Sequence, residues 1–190
     1  MSQAVHNRIR YDLKDAIRAG ITLLSGKLTE EKLLKALTHH EAIQPFFDES
    51  EPVYFRHFLC NLGLVHYEMG HHELAIEHFD KCFLLPVSSE PEKLDIAAVK
   101  VNKAHALMSL KRFDEAHKLL DEAAIYFTSI YDYANLGEVL ETRARAFLGQ
   151  GLRAEAKAAA QEAYDMLRWY SDEESARRAH RTLAICWEAK

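Results

Sequence analysis

Glycine and proline are scarce in this chain of 190 residues, at 7 and 4 copies. Valine, isoleucine and threonine together number 22, against 26 alanines and 24 leucines. β-Branched side chains suit strands, whereas alanine and leucine head the helix ranking. So few glycines cannot furnish the many tight turns of a sandwich or barrel. All-β architectures are therefore excluded, and a mixed α/β sheet has little to be built from. Basic excess is also missing: the formal charge is −5, so nucleic acid is not an expected partner. There is no apolar run near the ~20 residues that cross a bilayer, and the opening MSQAVHNRIRYDLKD carries no secretory leader pattern, so no membrane contact is expected. Cysteine is limited to Cys60, Cys82 and Cys186, an odd number without a Cys-x-x-Cys pair. These read as free thiols, and the cytoplasm is the expected compartment.

What remains is helix. Apolar periodicity is nearly continuous and is broken only by short polar joints. It predicts a first helix over Val5–Leu24 that stops at Ser25-Gly26, then a second capped by Thr29. The stretch QPFFDESEP, from Gln44 to Pro52, is the clearest irregular joint. Further helices follow over about Tyr54–Met69, His72–Leu85, Ser89–Leu110, Phe113 onward, Tyr133–Leu148 and Arg153–Tyr170. Ser89 with Glu92, and Ser171 with Glu174, have capping-box spacing. A last helix follows Ser171, giving about nine helices joined so briefly that most must be antiparallel neighbours.

The hairpins repeat. A small residue early in the second helix of each pair steps from Ala75 to Ala116 to Ala156, intervals of 41 and 40. A small residue in the first helix precedes each by 12 positions: Gly63, Ala104 and Ala144. The best unit is LCNLGLVHYEMGHHELAIEHFDKCFLLP, Leu59 to Pro86. It has Leu62-Gly63, Gly70 at the turn, Ala75, Phe79 four later, Cys82 and the closing Pro86.

This pattern resembles the tetratricopeptide repeat (TPR) family. The period of about 40 is like that of the longer-helix TPRs of bacterial peptide-sensing regulators and some motor-adaptor proteins. The resemblance departs at Leu59, where the family has Trp, and at His66, where it has Tyr. The later units have Lys103-Ala104 and Arg143-Ala144 in place of Leu-Gly. It implies an all-α, right-handed superhelix of antiparallel hairpins in a single domain over 1–190. In that scheme residues 1–52 form a divergent hairpin, 53–170 three TPR-like hairpins, and 171–190 a capping helix. Alanine is uneven, 6 in residues 1–95 and 20 in 96–190. Its later copies occupy the close-packing slots, which predicts tighter C-terminal hairpins.

Residues with catalytic chemistry do not assemble into a recognisable site. Among eleven histidines, His39-His40 and His71-His72 stand out. A zinc-protease pattern would need a second His four residues after His72, and position 76 is Ile. Both pairs read as exposed polar residues, and no metal or cofactor is expected. Cys82 falls in a small-residue slot and reads as a buried, inert thiol. No Gly-rich phosphate loop is present.

The resemblance does imply a groove lined by the first helix of each hairpin. Its exposed positions would be His57, Cys60, Asn61, Leu64, Tyr67 and Glu68 in the first unit. Val101, Asn102, His105 and Met108 follow in the second, and Glu141, Thr142, Arg145 and Leu148 in the third. Asn61 and Asn102 share one register position; in peptide-binding TPRs an Asn there holds the ligand backbone, its amide matching a peptide N–H and C=O together. Arg145 and His105 are then candidates for a ligand carboxylate, and Tyr67, Leu64 and Met108 for apolar contact. The leading reading is a non-enzymatic scaffold that docks a protein segment or peptide. A sensor or homodimerisation module of a larger peptide-responsive regulator, and an accessory subunit of an enzyme, are the alternatives.

Overall fold

The computed structural model describes residues 14–23, 28–47 and 50–188. The sequence-predicted residues Val5 to Leu13, Leu24, the stop at Ser25-Gly26, Asp48-Glu49 and the last two residues lie outside these. Among the described residues every regular element is helical. The chain divides into two compact units at the Glu92–Lys93 bond.

In the first unit, residues 14–23 are helical (α1) and are followed by α2, Glu30–Ile43. Thr29 caps α2 as its side chain accepts the Lys32 amide at 3.3 Å, with Glu30 and Glu31 at the positive helix end. A 3-10 turn, Gln44–Phe46, forms the irregular joint. Pro52 then opens α3, Pro52–Glu68, where its missing N–H is harmless. The hairpin closes with α4, His72–Leu84. Gly63 lets the two helices touch, since a Cβ there would stand 2.6 Å from the Phe79 ring. Phe58, Val65, Ala75, Phe79 and Cys82 are buried around this contact.

Helix α5, Glu90–Ser109, leads into the second unit, which holds α6 (Phe113–Ser129), α7 (Tyr133–Gln150), α8 (Arg153–Tyr170) and α9 (Glu173–Glu188). The alanine-rich half has its reason here. Ala104, Ala116, Ala123, Ala144, Ala156, Ala160 and Ala163 are all fully buried. Ala144, Ala156, Ala160 and Ala163 form the seams of α7, α8 and α9, with Leu140, Leu167 and Leu183 filling between them. Two local expectations need correction. Helix α7 runs through Gly149 to Gln150 instead of ending at Leu148; Gly149 is needed for packing, because a Cβ there would meet the Phe113 ring at 2.7 Å. The cap of α9 is Asp172, whose carboxylate accepts the Ser175 amide at 2.7 Å, and not Ser171.

The turns share one backbone design. Gly70, Lys111, Tyr131 and Gly151 all take left-handed φ, between 59° and 79°. Each donates its amide three residues back, and the following amide reaches five back, as in His71 to His66 and Arg112 to Leu107. This is the Schellman closure, which satisfies carbonyls a helix end would otherwise leave bare.

Candidate functional site

The first hairpin places its polar groups in an unusually dry setting. Arg56 lies on the core face of α3 with no exposed surface. Its Nη1 is 3.3 Å from the Glu92 carboxylate, and Nη2 donates to the Pro86 carbonyl at 2.6 Å. Glu92 also accepts the hydroxyls of Ser88 and Ser89 at 2.8 and 2.7 Å. These hydroxyls, Ser89 first, and then Arg56 hold its carboxyl below the usual carboxylate range. The capping-box spacing of Ser89 and Glu92 was legible in the sequence; the arginine that joins them was not. An Arg beside Phe55 and Phe58 was its only trace.

Histidines gather at the other end of the hairpin. The His66 and His78 rings stack at 5.2 Å, 4° from parallel, and His71 lies 5.8 Å from His66. Burial first, then the neighbouring imidazole, lowers both stacked rings below the ordinary histidine value, His78 to about 4. They are neutral near pH 7. His71 is exposed as expected, whereas His72 is half-buried 5.5 Å from Tyr67. The expectation that His39-His40 is an exposed pair fails for His40. That ring is buried, its Nδ1 bonded to the Ala36 carbonyl at 2.7 Å and its edge against Gly20. Among the described residues, no three or more His, Cys, Asp and Glu are grouped to hold a metal ion.

Asn61 sits on α3 between these polar ends, and it is buried, with its Nδ2 lacking any hydrogen-bond partner. It was expected on an exposed lining; the helix instead turns it inward at 8% exposure. Leu64 and Tyr67 are half-buried, His57 and Cys60 likewise, and Glu68 is exposed. Cys82 is buried, donating its thiol to the carbonyls of His78 and Arg56, and burial pushes the thiol far up. A cleft of about 370 Å³ opens beside the hairpin, walled by Phe55, Leu59, Leu62 and Leu85 with His78 and Lys81 among them. Sequence periodicity could not reveal it, because its walls are ordinary core residues.

In the second unit, Asn102, Val101 and Met108 are half-buried on α5. His105 Nε2 lies 3.4 Å from the Thr142 hydroxyl, which itself donates to the Glu138 carbonyl. Burial, then Arg145 and Arg178, lowers the His105 imidazole to about 4, so it is neutral and offers no charge to a carboxylate. Glu141 and Thr142 are corrections to the exposed lining: both are buried. The Thr182 hydroxyl of α9 donates to Glu141 at 2.7 Å, and Arg178 Nε stands 3.7 Å from the same carboxylate while its Nη2 contacts Glu138. Helix α9 thus covers α7 where a groove was expected. Leu148 packs partly buried against α8. Arg145 keeps 43% of its side chain exposed, 3.9 Å from Glu141, and Arg178 on the same carboxylate keeps 37%.

Antiparallel hairpins with small residues at the crossings and a shared turn closure define an all-α helical-repeat protein. Residues 57–85 match the family model described as tetratricopeptide repeat. No curated protein sequence matches the chain significantly. Solved structures do: BtubC (BKLC) from P. vanneervenii is 12% identical with a TM-score of 0.64, covering 99% of this chain and 85% of that one. A protein from Podosopora anserina described as a kinesin light chain, with nearly identical TPR-like repeats, is 18% identical at a TM-score of 0.65, covering 96% and 86%. A point variant of that protein aligns at 0.66 with the same identity and coverage. Residues 57–85 thus carry a tetratricopeptide repeat, and the chain shares the all-α, TPR-like repeat fold of these structures.

Proposed function

We propose that this protein is a non-enzymatic scaffold that docks a segment of a protein partner on the first helices of its hairpins. The observation that carries this reading is the Asn61 amide, buried on α3 of the TPR hairpin with an unpartnered Nδ2. A buried donor without an acceptor costs about 1–3 kcal/mol, and rotation of the Asn61 side chain out of its inward position would offer that donor to a backbone carbonyl of a docked segment. Asn102 repeats the position 41 residues on, and Arg145 supplies an exposed cation suited to an acidic group in the partner. Cys60, Cys82 and Cys186 form no disulfide, which suits a reducing compartment, and the cytoplasm is the location we assign.

The test pairs capture with stability. Tagged wild-type protein and the Asn61→Ala, Asn102→Ala double variant are used to capture partners from native lysate, and both are melted by circular dichroism. The reading expects partners lost by the variant while its melting temperature stays equal or rises, because an unmet donor has been removed. Equal capture by both proteins refutes it.

A further inference from the structure

The cleft beside the first hairpin has an apolar body and a single charge. Its sides are stripes of two antiparallel helices: Phe55, Leu59 and Leu62 from α3, and His78, Lys81 and Leu85 from α4 and its cap. Each set follows helical spacing, at i, i+3 or i+4, and i+7, so each shares one face of its helix. Gln44, where the chain leaves α2 for the 3-10 turn, adds an amide to the lining. Burial first, then His66 and Lys81, keeps the His78 ring neutral near pH 7. Lys81 therefore supplies the one charge among the lining residues.

That ammonium is unpaired. Among the described residues it has no ion-pair partner, although Glu77, one turn earlier on α4, has the spacing for one. The same spacing closes Glu31 on Lys35 at 2.6 Å in α2. His78 also keeps a buried Nδ1 without a hydrogen-bond partner. An apolar cleft with a few polar groups at hand is the usual make-up of a small-molecule site.

Size and chemistry narrow the occupant. At about 30 Å³ per non-hydrogen atom, the share a water molecule takes in the liquid, 370 Å³ holds roughly a dozen atoms. A peptide segment would carry an N–H and a C=O into the cleft with every residue, and each must find a partner. The lining offers side-chain hydrogen-bonding groups only at Gln44, His78 and Lys81. A methylene chain makes no such demand, and a carboxylate at its end answers the single ammonium. We propose that the cleft beside α3 and α4 binds a monocarboxylate with an unbranched aliphatic chain of about ten carbons, its head at Lys81 and its chain along Phe55, Leu59 and Leu62. Neither Asn61 nor Asn102 lines the cleft, so the proposal stands or falls apart from the scaffold reading above.

Isothermal titration calorimetry of the full chain with hexanoate, octanoate, decanoate and dodecanoate, each below its micelle-forming concentration, tests it. Saturable binding is expected, strengthening about three- to four-fold per added methylene, the worth of one buried CH₂. Beyond about ten carbons the gain should cease, because the cleft is full. Lys81→Gln should weaken decanoate about five-fold while leaving the melting temperature unchanged, since Lys81 is exposed and unpaired. No saturation by about 5 mM decanoate overturns the proposal, as does wild-type affinity in Lys81→Gln. So does equal or tighter binding of the amidated acidic peptide acetyl-Leu-Glu-Leu-Glu, which would assign the cleft to a segment of a partner protein.

Discussion

Arg56 and Glu92 form an ion pair 3.3 Å apart in which the arginine has no exposed surface and the glutamate keeps only 5%. The pair ties the second turn of α3 to the first turn of α5 across the Pro86 loop, whose carbonyl accepts from the second guanidinium nitrogen. Glu92 is also the acceptor for Ser88 and Ser89, so one carboxylate organises the end of the TPR hairpin. Removing one partner of a buried pair strands the other, whereas removing both need not be costly. Arg56→Met is expected to lower the thermal midpoint more than the Arg56→Met, Glu92→Gln double variant does. Circular dichroism melts of the two proteins decide it.

Glu92 also sets an acid limit. Its folded pKa lies below 4.5, so its contribution is complete above that value and is lost as pH falls through the lowered folded value. Glu92→Gln should therefore lower the midpoint at pH 7 and show a shallower loss than wild type below pH 4.5. Melts at a series of pH values between 3 and 7 provide the measurement.

The stacked histidines act at milder acidity. A folded His78 near pH 4 against an ordinary 6.5 means that the unfolded chain binds the proton first. Stability then falls as pH drops from 6.5 toward 4, and His66 adds to the trend in the same direction. In urea titrations at pH 7.5 and pH 5, wild type should lose more stability than His78→Leu, which keeps an apolar wall on the cleft without a titrating ring.

Turn chemistry gives a stabilising substitution. Lys111 occupies the left-handed slot that Gly70 and Gly151 occupy in the neighbouring repeats. Left-handed backbone costs a non-glycine residue roughly 1–2 kcal/mol, part of which glycine returns as unfolded-state entropy. Lys111→Gly should raise unfolding free energy by up to about 1 kcal/mol, and Gly151→Ala should lower it by about 1 kcal/mol. Equilibrium urea unfolding resolves both.

The Gly63–Phe79 contact is the tightest crossing of the first hairpin, with 2.6 Å available to a new Cβ. Gly63→Ala is expected to cost about 1–3 kcal/mol through overpacking. Phe79→Leu in the same chain should recover part of that loss, because the smaller side chain yields the space. A double-mutant cycle in urea shows the coupling, and strictly additive losses would refute it.

Much of this architecture could be read along the chain because its signals are local. Thr29, Gly70 and Gly151 mark helix ends by their own backbone preferences, and α8 begins at Arg153 and ends at Tyr170 where periodicity places it. Gly63, Ala104 and Ala144 betray the repeat because close helix crossings admit only small residues. Misreadings arose where a polar residue had an uncommon setting. Gly149 looked like a terminator and is a packing residue; Asp172 was passed over for Ser171 although either side chain can cap.

The groove positions were less legible for a physical reason. Register assigns Asn61, Thr142 and Glu141 to one side of their helices, but whether that side meets solvent depends on what lies over it. Helix α9 lies over Glu141 through Thr182 and Arg178, some 40 residues away in sequence, and no local pattern announces it. The same holds for Arg56 and His40. Scarce glycine and abundant alanine were enough to establish helices, their turns and their small-residue crossings, since each depends on neighbours within a few positions. Which polar groups became buried, paired, neutral or displayed was settled by side chains that meet only after the helices pack, because solvation and charge respond to distance in space and not along the chain.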